Sequence, residues 1–157
     1  MHLDIDKLRA VDGKPLYCMD RIPTSVEGLL DTLSADGFLI LRISNARTKA
    51  DFMDRATEVF LLPSYFGRNW DALHECLSDL TWLPAEGYIL ILSTDDLLRT
   101  SPDDLKSAVE VLLHVNRSWR QDGIRFCALL VGSKDVSQWL SANFSQDLFE
   151  VASRDSK

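Results

Sequence analysis

Apolar residues recur along this chain in two patterns: short unbroken runs, and longer stretches spaced by three and four. The unbroken runs are residues 37–43 (GFLILRI), 87–92 (GYILIL) and 124–131 (IRFCALLV). Runs this short and this apolar predict strands buried on both faces, the habit of parallel sheets. The spaced stretches predict helices between and around them. Thr24-Ser25-Val26-Glu27 has the form of a capping box ahead of Leu29, Leu30 and Leu33, which places a helix near 24–35, stopped at Gly37. Thr48 opens a second helix carrying Phe52, Ala56, Val59 and Phe60, and Pro63 ends it. Ser101-Pro102-Asp103-Asp104 opens a long one carrying Leu105, Val109, Leu112, Asn116 and Trp119, which ends near Gly123. A weaker amphipathic segment follows (Val136, Trp139, Leu140, Phe144), then residues 148–151 and a polar tail. Residues 1–23 carry the least pattern; Leu16, Tyr17 and Met19, between Pro15 and Pro23, read as an edge strand. Strands separated by helices make an α/β domain with a parallel sheet, and no internal repeat or linker divides the chain.

One further helix departs from the ordinary pattern. In residues 62–80 (LPSYFGRNWDALHECLSDL), Asn69 is a natural N-cap. Beyond it Trp70, Leu73, Leu77 and Leu80 share one side of the helical wheel and Asp71, Glu75 and Asp79 the other. Carboxylates at successive i, i+4 positions repel by roughly 0.2–0.5 kcal/mol per pair. Asp79 also sits where the helix dipole disfavours an anion. A solvated face usually mixes its charges, so this one is suited to a cationic partner. In the structural alternative Tyr65 and Phe66 plug the core, Gly67 supplies a positive φ, and the acids are merely solvated.

Composition narrows the function. The 157 residues are 46% hydrophobic and 26% charged, as expected of a globular domain, and the net charge of −7 argues against direct binding to nucleic acid or an anionic membrane. No apolar run approaches the roughly 20 residues a spanning helix needs. Cys18, Cys76 and Cys127 form no metal-ligand spacing, and Cys76 and Cys127 read as small buried hydrophobes, which with the lack of a signal-like run predicts a reducing, cytoplasmic setting. Nucleophile-elbow and phosphate-loop motifs are absent. Asp71, His74 and Glu75 are the one conceivable metal or acid–base cluster, and they lack an identifiable third, non-local ligand. Neither a catalytic residue nor a cofactor or metal is therefore expected.

The run Leu62-Pro63-Ser64-Tyr65-Phe66-Gly67-Arg68-Asn69-Trp70-Asp71-Ala72-Leu73-His74-Glu75-Cys76-Leu77 resembles the signature of the barstar family of ribonuclease inhibitors, L-P-x-Y-[YF]-G-x-N-x-D-A-L-x-[DE]-C-L. The order of elements around it is similar as well. The resemblance implies a small three-layer domain over residues 37–131 with a three-stranded parallel sheet packed by helices. Residues 1–36 would then form an N-terminal extension with a helix, and 132–157 a C-terminal extension and tail. It implies a bacterial immunity protein that occludes the active site of a basic secreted nuclease, one to one. The partner-binding residues it implies are Tyr65, Phe66, Gly67, Asn69, Asp71, His74, Glu75, Ser78 and Asp79. Tyr65 would pack on the nuclease's catalytic histidine, with Gly67 and Asn69 at the edge of the contact. Asp71 and Glu75 would stand where substrate phosphates bind, and Ser78 matches a family threonine. The chain departs from the family at His74 (tryptophan in barstar), Glu75 (aspartate) and Ser118 (approximately where a contacting glutamate falls), with Glu110 and Asp122 not obvious replacements. The alternative is a regulatory interaction module on the same fold.

Overall fold

The computed structural model describes residues 2–152; the polar tail, residues 153–157, lies outside the described residues. The three apolar runs form Phe38–Ile43 (β2), Gly87–Ser93 (β3) and Arg125–Val131 (β4). They pair in parallel, Leu41 opposite Leu90 and Leu90 opposite Ala128. The sheet does not stop at three strands. Leu16–Met19 (β1) pairs with β4, and Phe149–Val151 (β5) pairs with the far side of β1, both in parallel, giving the order β2-β3-β4-β1-β5. The expected three-stranded sheet is therefore five-stranded, and β1 is an interior strand. Its four residues are all buried, two on each face, so only neighbours on both sides complete its backbone hydrogen bonding.

Helices cover both faces. Ile5–Arg9 (α1) and Thr24–Ala35 (α2) pack Leu8, Val26, Leu30 and Leu33 against Tyr17, Met19, Ile89, Ile91, Cys127 and Leu129. On the opposite face lie Lys49–Val59 (α3), Trp70–Asp79 (α4), Asp95–Thr100 (α5), Pro102–Gln121 (α6) and Lys134–Asn143 (α7). They bury Phe52, Leu73, Leu97, Leu105, Val109, Val136 and Leu140 against Leu41, Leu90, Ala128 and Leu130. The short α1 and α5 have no sequence periodicity long enough to announce them.

Helix boundaries follow local chemistry in part; Ser101 precedes α6 without capping it, its hydroxyl donating to the Asp104 carboxylate at 2.6 Å instead. Thr48 accepts the amide of Asp51 at 3.1 Å as the cap of α3, and Pro102 occupies the start of α6. Gly37 (φ +98) and Gly123 (φ +73) turn the chain out of α2 and α6. The capping box at Thr24 does not form. Pro23 takes the cap position in extended conformation, and its carbonyl accepts both Val26 and Glu27 amides at 3.0 Å. Thr24 thereby becomes the first helical residue, and Glu27 turns to an ion pair with Arg42 of β2 at 3.0 Å.

Arg125 joins the N-terminal segment to the sheet. Its side chain is 1% exposed and donates to the carbonyls of Leu8 and Lys7 at the end of α1, both at 2.9 Å. Arg120 reaches the carbonyl of Gly13 at 3.2 Å. These are the orphan acceptors that a short helix and the following turn leave exposed, satisfied from β4 and α6.

Candidate functional site

The segment between α3 and α4 is shaped by two left-handed residues, neither of them glycine, Leu61 (φ 52) and Arg68 (φ 56), and a third, Leu80 (φ 45), ends α4. Leu61 ends α3, where the amide of Leu62 reaches back to the carbonyl of Thr57 at 3.1 Å. Pro63 then begins a turn closed by the amide of Phe66 on the Pro63 carbonyl at 2.9 Å. That turn separates the two aromatics. Phe66 goes into the core, 8% exposed, while Tyr65 stands out at 76%. The structural alternative, in which both plug the core, holds only for Phe66.

Gly67 does not supply the positive φ; Arg68 does, with its guanidinium paired to Asp54 of α3. A Cβ built on Gly67 would meet nothing closer than 3.4 Å, ordinary contact with Ala72 and Asn69. The fold therefore does not require a glycine here. What Gly67 provides is bare backbone at the surface beside Tyr65.

Asn69 caps α4, accepting the amide of Ala72 at 2.8 Å, and its amide nitrogen donates to the Gly67 carbonyl at 3.4 Å. Both ends of this side chain thus hold the loop against the helix. Below, Trp70 leans on Phe52 of α3 with ring centroids 5.4 Å apart, and Leu73, Cys76 and Leu77 are buried. The indole N–H of Trp119 on α6 donates to the carbonyl of Leu77 at 2.7 Å. This fixes the last turn of α4 on α6 and satisfies one of the carbonyls a helix end leaves open.

Asp71, Glu75 and Asp79 are all exposed, as the wheel predicts, and none of the three is in an ion pair among the described residues. Their field reaches inward. Burial pushes the Cys76 thiol up, and the charges of Asp79 and Glu75 add to the push. Glu75 and Asp79 share a hollow of about 230 Å³ with Tyr65, Phe66 and Gly67. On the other flank, Asp71 and His74 share a crevice of about 380 Å³ with Ser107, Glu110 and His114 of α6.

The fold thus brings Tyr65, Gly67, Asp71, Glu75 and Asp79 onto one exposed face, with half-buried His74 at its margin. Two residues do not join it in the same way. Phe66 forms the floor of the hollow, and the Ser78 hydroxyl oxygen is sealed from solvent without a hydrogen-bond partner. Glu110 and His114 are not among the partner-binding residues that the sequence implies, yet they form the second wall of the crevice. Their signal is present in the chain: Ser107, Glu110 and His114 lie three and four apart on α6, a polar stripe flanking its apolar one. Only the packing of α6 on α4 shows that this stripe faces Asp71.

Among the described residues, no group of three or more His, Cys, Asp or Glu could hold a metal, and no helix is long and apolar enough to cross a membrane. The three cysteines are free and buried.

Comparison with known proteins adds an independent finding. The family model described as Barstar (barnase inhibitor) matches residues 37–131, more than half of the chain. The match takes in β2 to β4 and the whole of the acidic helix and its loop, while β1, β5, α1, α2 and α7 lie outside it. No curated protein matches the chain. A similar solved structure, of Drosophila ORC bound to DNA, is 15% identical with a TM-score of 0.46 over 90% of this chain and 80% of that one. At that TM-score the likeness carries no argument.

Proposed function

This chain belongs to the barstar (barnase inhibitor) family, and from that premise we propose that it is a protein inhibitor that covers the active site of a basic ribonuclease with the α3–α4 loop and α4. The observation that carries the reading is the front of α4: three exposed carboxylates without an ion pair among the described residues, beside a tyrosine that is 76% exposed. A nuclease site that holds phosphates presents clustered Arg and Lys. Carboxylates meet these with charge-assisted, directional hydrogen bonds. In this assignment Asp71 and Glu75 occupy phosphate positions, Tyr65 is the aromatic anchor, and Gly67, Asn69, His74 and Asp79 border the contact. Phe66 supports Tyr65 from below. Ser78 takes part only if its hydroxyl rotates outward. A net charge of −7 favours encounter with a basic target and makes the on-rate salt-sensitive. Buried free thiols accord with a reducing, cytoplasmic setting.

The test is to titrate barnase and other basic ribonucleases with the protein at low and moderate salt, alongside the variants Asp71→Ala and Glu75→Ala. Stoichiometric loss of nuclease activity is expected, with a weaker complex for each variant. Glu75→Ala relieves two like-charge pairs and should be as stable as the parent or more so, by about 0.2–0.5 kcal/mol per pair. Asp71 stands in the first turn of α4, where the helix dipole favours an anion, so Asp71→Ala should cost no more than about 1 kcal/mol. Loss of thermal stability in both variants, with no change in inhibition, would make the acids scaffold and sink the assignment.

A further inference from the structure

The crevice between α4 and α6 contains two histidines whose rings meet edge to face, the centroids of His74 and His114 being 5.7 Å apart. A terminal guanidinium nitrogen of Arg117 lies 2.7 Å from Nδ1 of His114. A guanidinium is always charged and can only donate. Nδ1 must therefore accept through its lone pair, which makes His114 neutral with its proton on Nε2. Protonating that ring removes the acceptor and breaks the bond to Arg117.

The crevice itself is lined by Asp71 of α4 and Glu110 of α6; Glu75 follows His74 in the chain, and Arg117 of α6 also borders a hollow that holds Asp4, Asp6 and Lys7 at α1. Neither Asp71 nor Glu110 is in an ion pair among the described residues. With both histidines neutral, the crevice presents two negative charges to a partner. With both protonated, those charges are cancelled from within and Arg117 loses its acceptor on His114.

We propose that His74, His114 and Arg117 form a proton-operated release switch for the acidic face, holding a cationic partner at neutral pH and letting it go in acid. This rests on the reading of α4 as the partner-binding face. The sign follows from linkage: the partner's cations favour the unprotonated pair, so affinity falls as the two rings take up protons.

The experiment uses the full chain and a tri-arginine peptide as the cationic probe, with binding measured by calorimetry at pH 8 and pH 5.5. The comparison is the double variant His74→Gln with His114→Asn, in which the introduced asparagine keeps an acceptor near the former Nδ1 position and cannot take a proton. The parent is expected to lose about five- to tenfold more affinity between the two pH values than the double variant, the scale of two partly screened charges at short range. An equal loss in both, or no peptide binding to the parent at pH 8, overturns the switch. A second measurement needs no variant: nitrogen NMR of the parent at pH 8 should show His114 protonated on Nε2, with the Arg117 side-chain signals moving at the His114 titration midpoint. A proton on Nδ1 at pH 8 overturns it equally. If basic ribonucleases fail to bind at pH 8 while the peptide follows the expected course, the inhibitor reading falls and the switch stands.

Discussion

Trp119→Phe tests how α4 is held in position. The indole of Trp119 is 8% exposed, its ring centroid lies 5.2 Å from that of Tyr88, and its N–H donates to the Leu77 carbonyl at 2.7 Å. Phenylalanine keeps most of the ring contact with Tyr88 and removes the donor. The Leu77 carbonyl is among the last four of α4 and has no amide partner within the helix, so the variant leaves it buried and unsatisfied. That costs about 1–3 kcal/mol, and the lost ring volume adds about 1 kcal/mol. The expected destabilisation is therefore about 2–4 kcal/mol. At about 2–4 °C per kcal/mol for a domain of this size, Tm should drop by roughly 4–16 °C. Urea unfolding gives the free energy directly through the shift in midpoint at constant slope. Trp82→Phe is the internal comparison. Its N–H donates to the Phe60 carbonyl at 3.0 Å, but Trp82 is only half-buried and water can replace the lost partner. A cost below about 1 kcal/mol for Trp119→Phe, or equal costs for the two tryptophans, would refute the account of what fixes α4.

Two further expectations concern the loop and the thiols. Gly67→Ala places its new methyl no closer than 3.4 Å to a neighbour and meets no left-handed φ, so Tm should change little while affinity for a basic ribonuclease falls; a large loss of Tm would show that the fold itself requires the glycine. Burial and the nearby Asp95 push the Cys18 thiol up from 9.0 to about 11. The unfolded chain therefore loses this proton first, and stability should decline as pH rises from 9.0 through about 11. A Cys18→Ala variant should flatten that part of the stability–pH curve, and an unchanged slope would place the alkaline loss elsewhere.

Local pattern was enough for much of this protein. The runs at 37–43, 87–92 and 124–131 became β2, β3 and β4, because a residue buried on both sides of a pleat leaves an unbroken apolar signature. Asn69 as a cap and the split of α4 into an apolar and an acidic side are local as well, set by side-chain reach and helical period. The family motif likewise lies within one continuous run of residues.

What the linear pattern does not contain is which segments become neighbours. Leu16–Met19 has the composition of a strand at any place in a sheet; only the seating of β4 on one side and β5 on the other makes it interior. Tyr65 and Phe66 are adjacent and nearly alike in chemistry, and a single turn hydrogen bond sends one outward and the other in. His74 and His114 are forty residues apart, and their contact exists only because Trp119 and the apolar stripe of α6 hold α4 against it. Hydrophobic period is a property of single elements, whereas the electrostatics of a crevice is a property of pairs. The acidic side of α4 could therefore be read from the sequence alone, while its second wall on α6 required the tertiary structure.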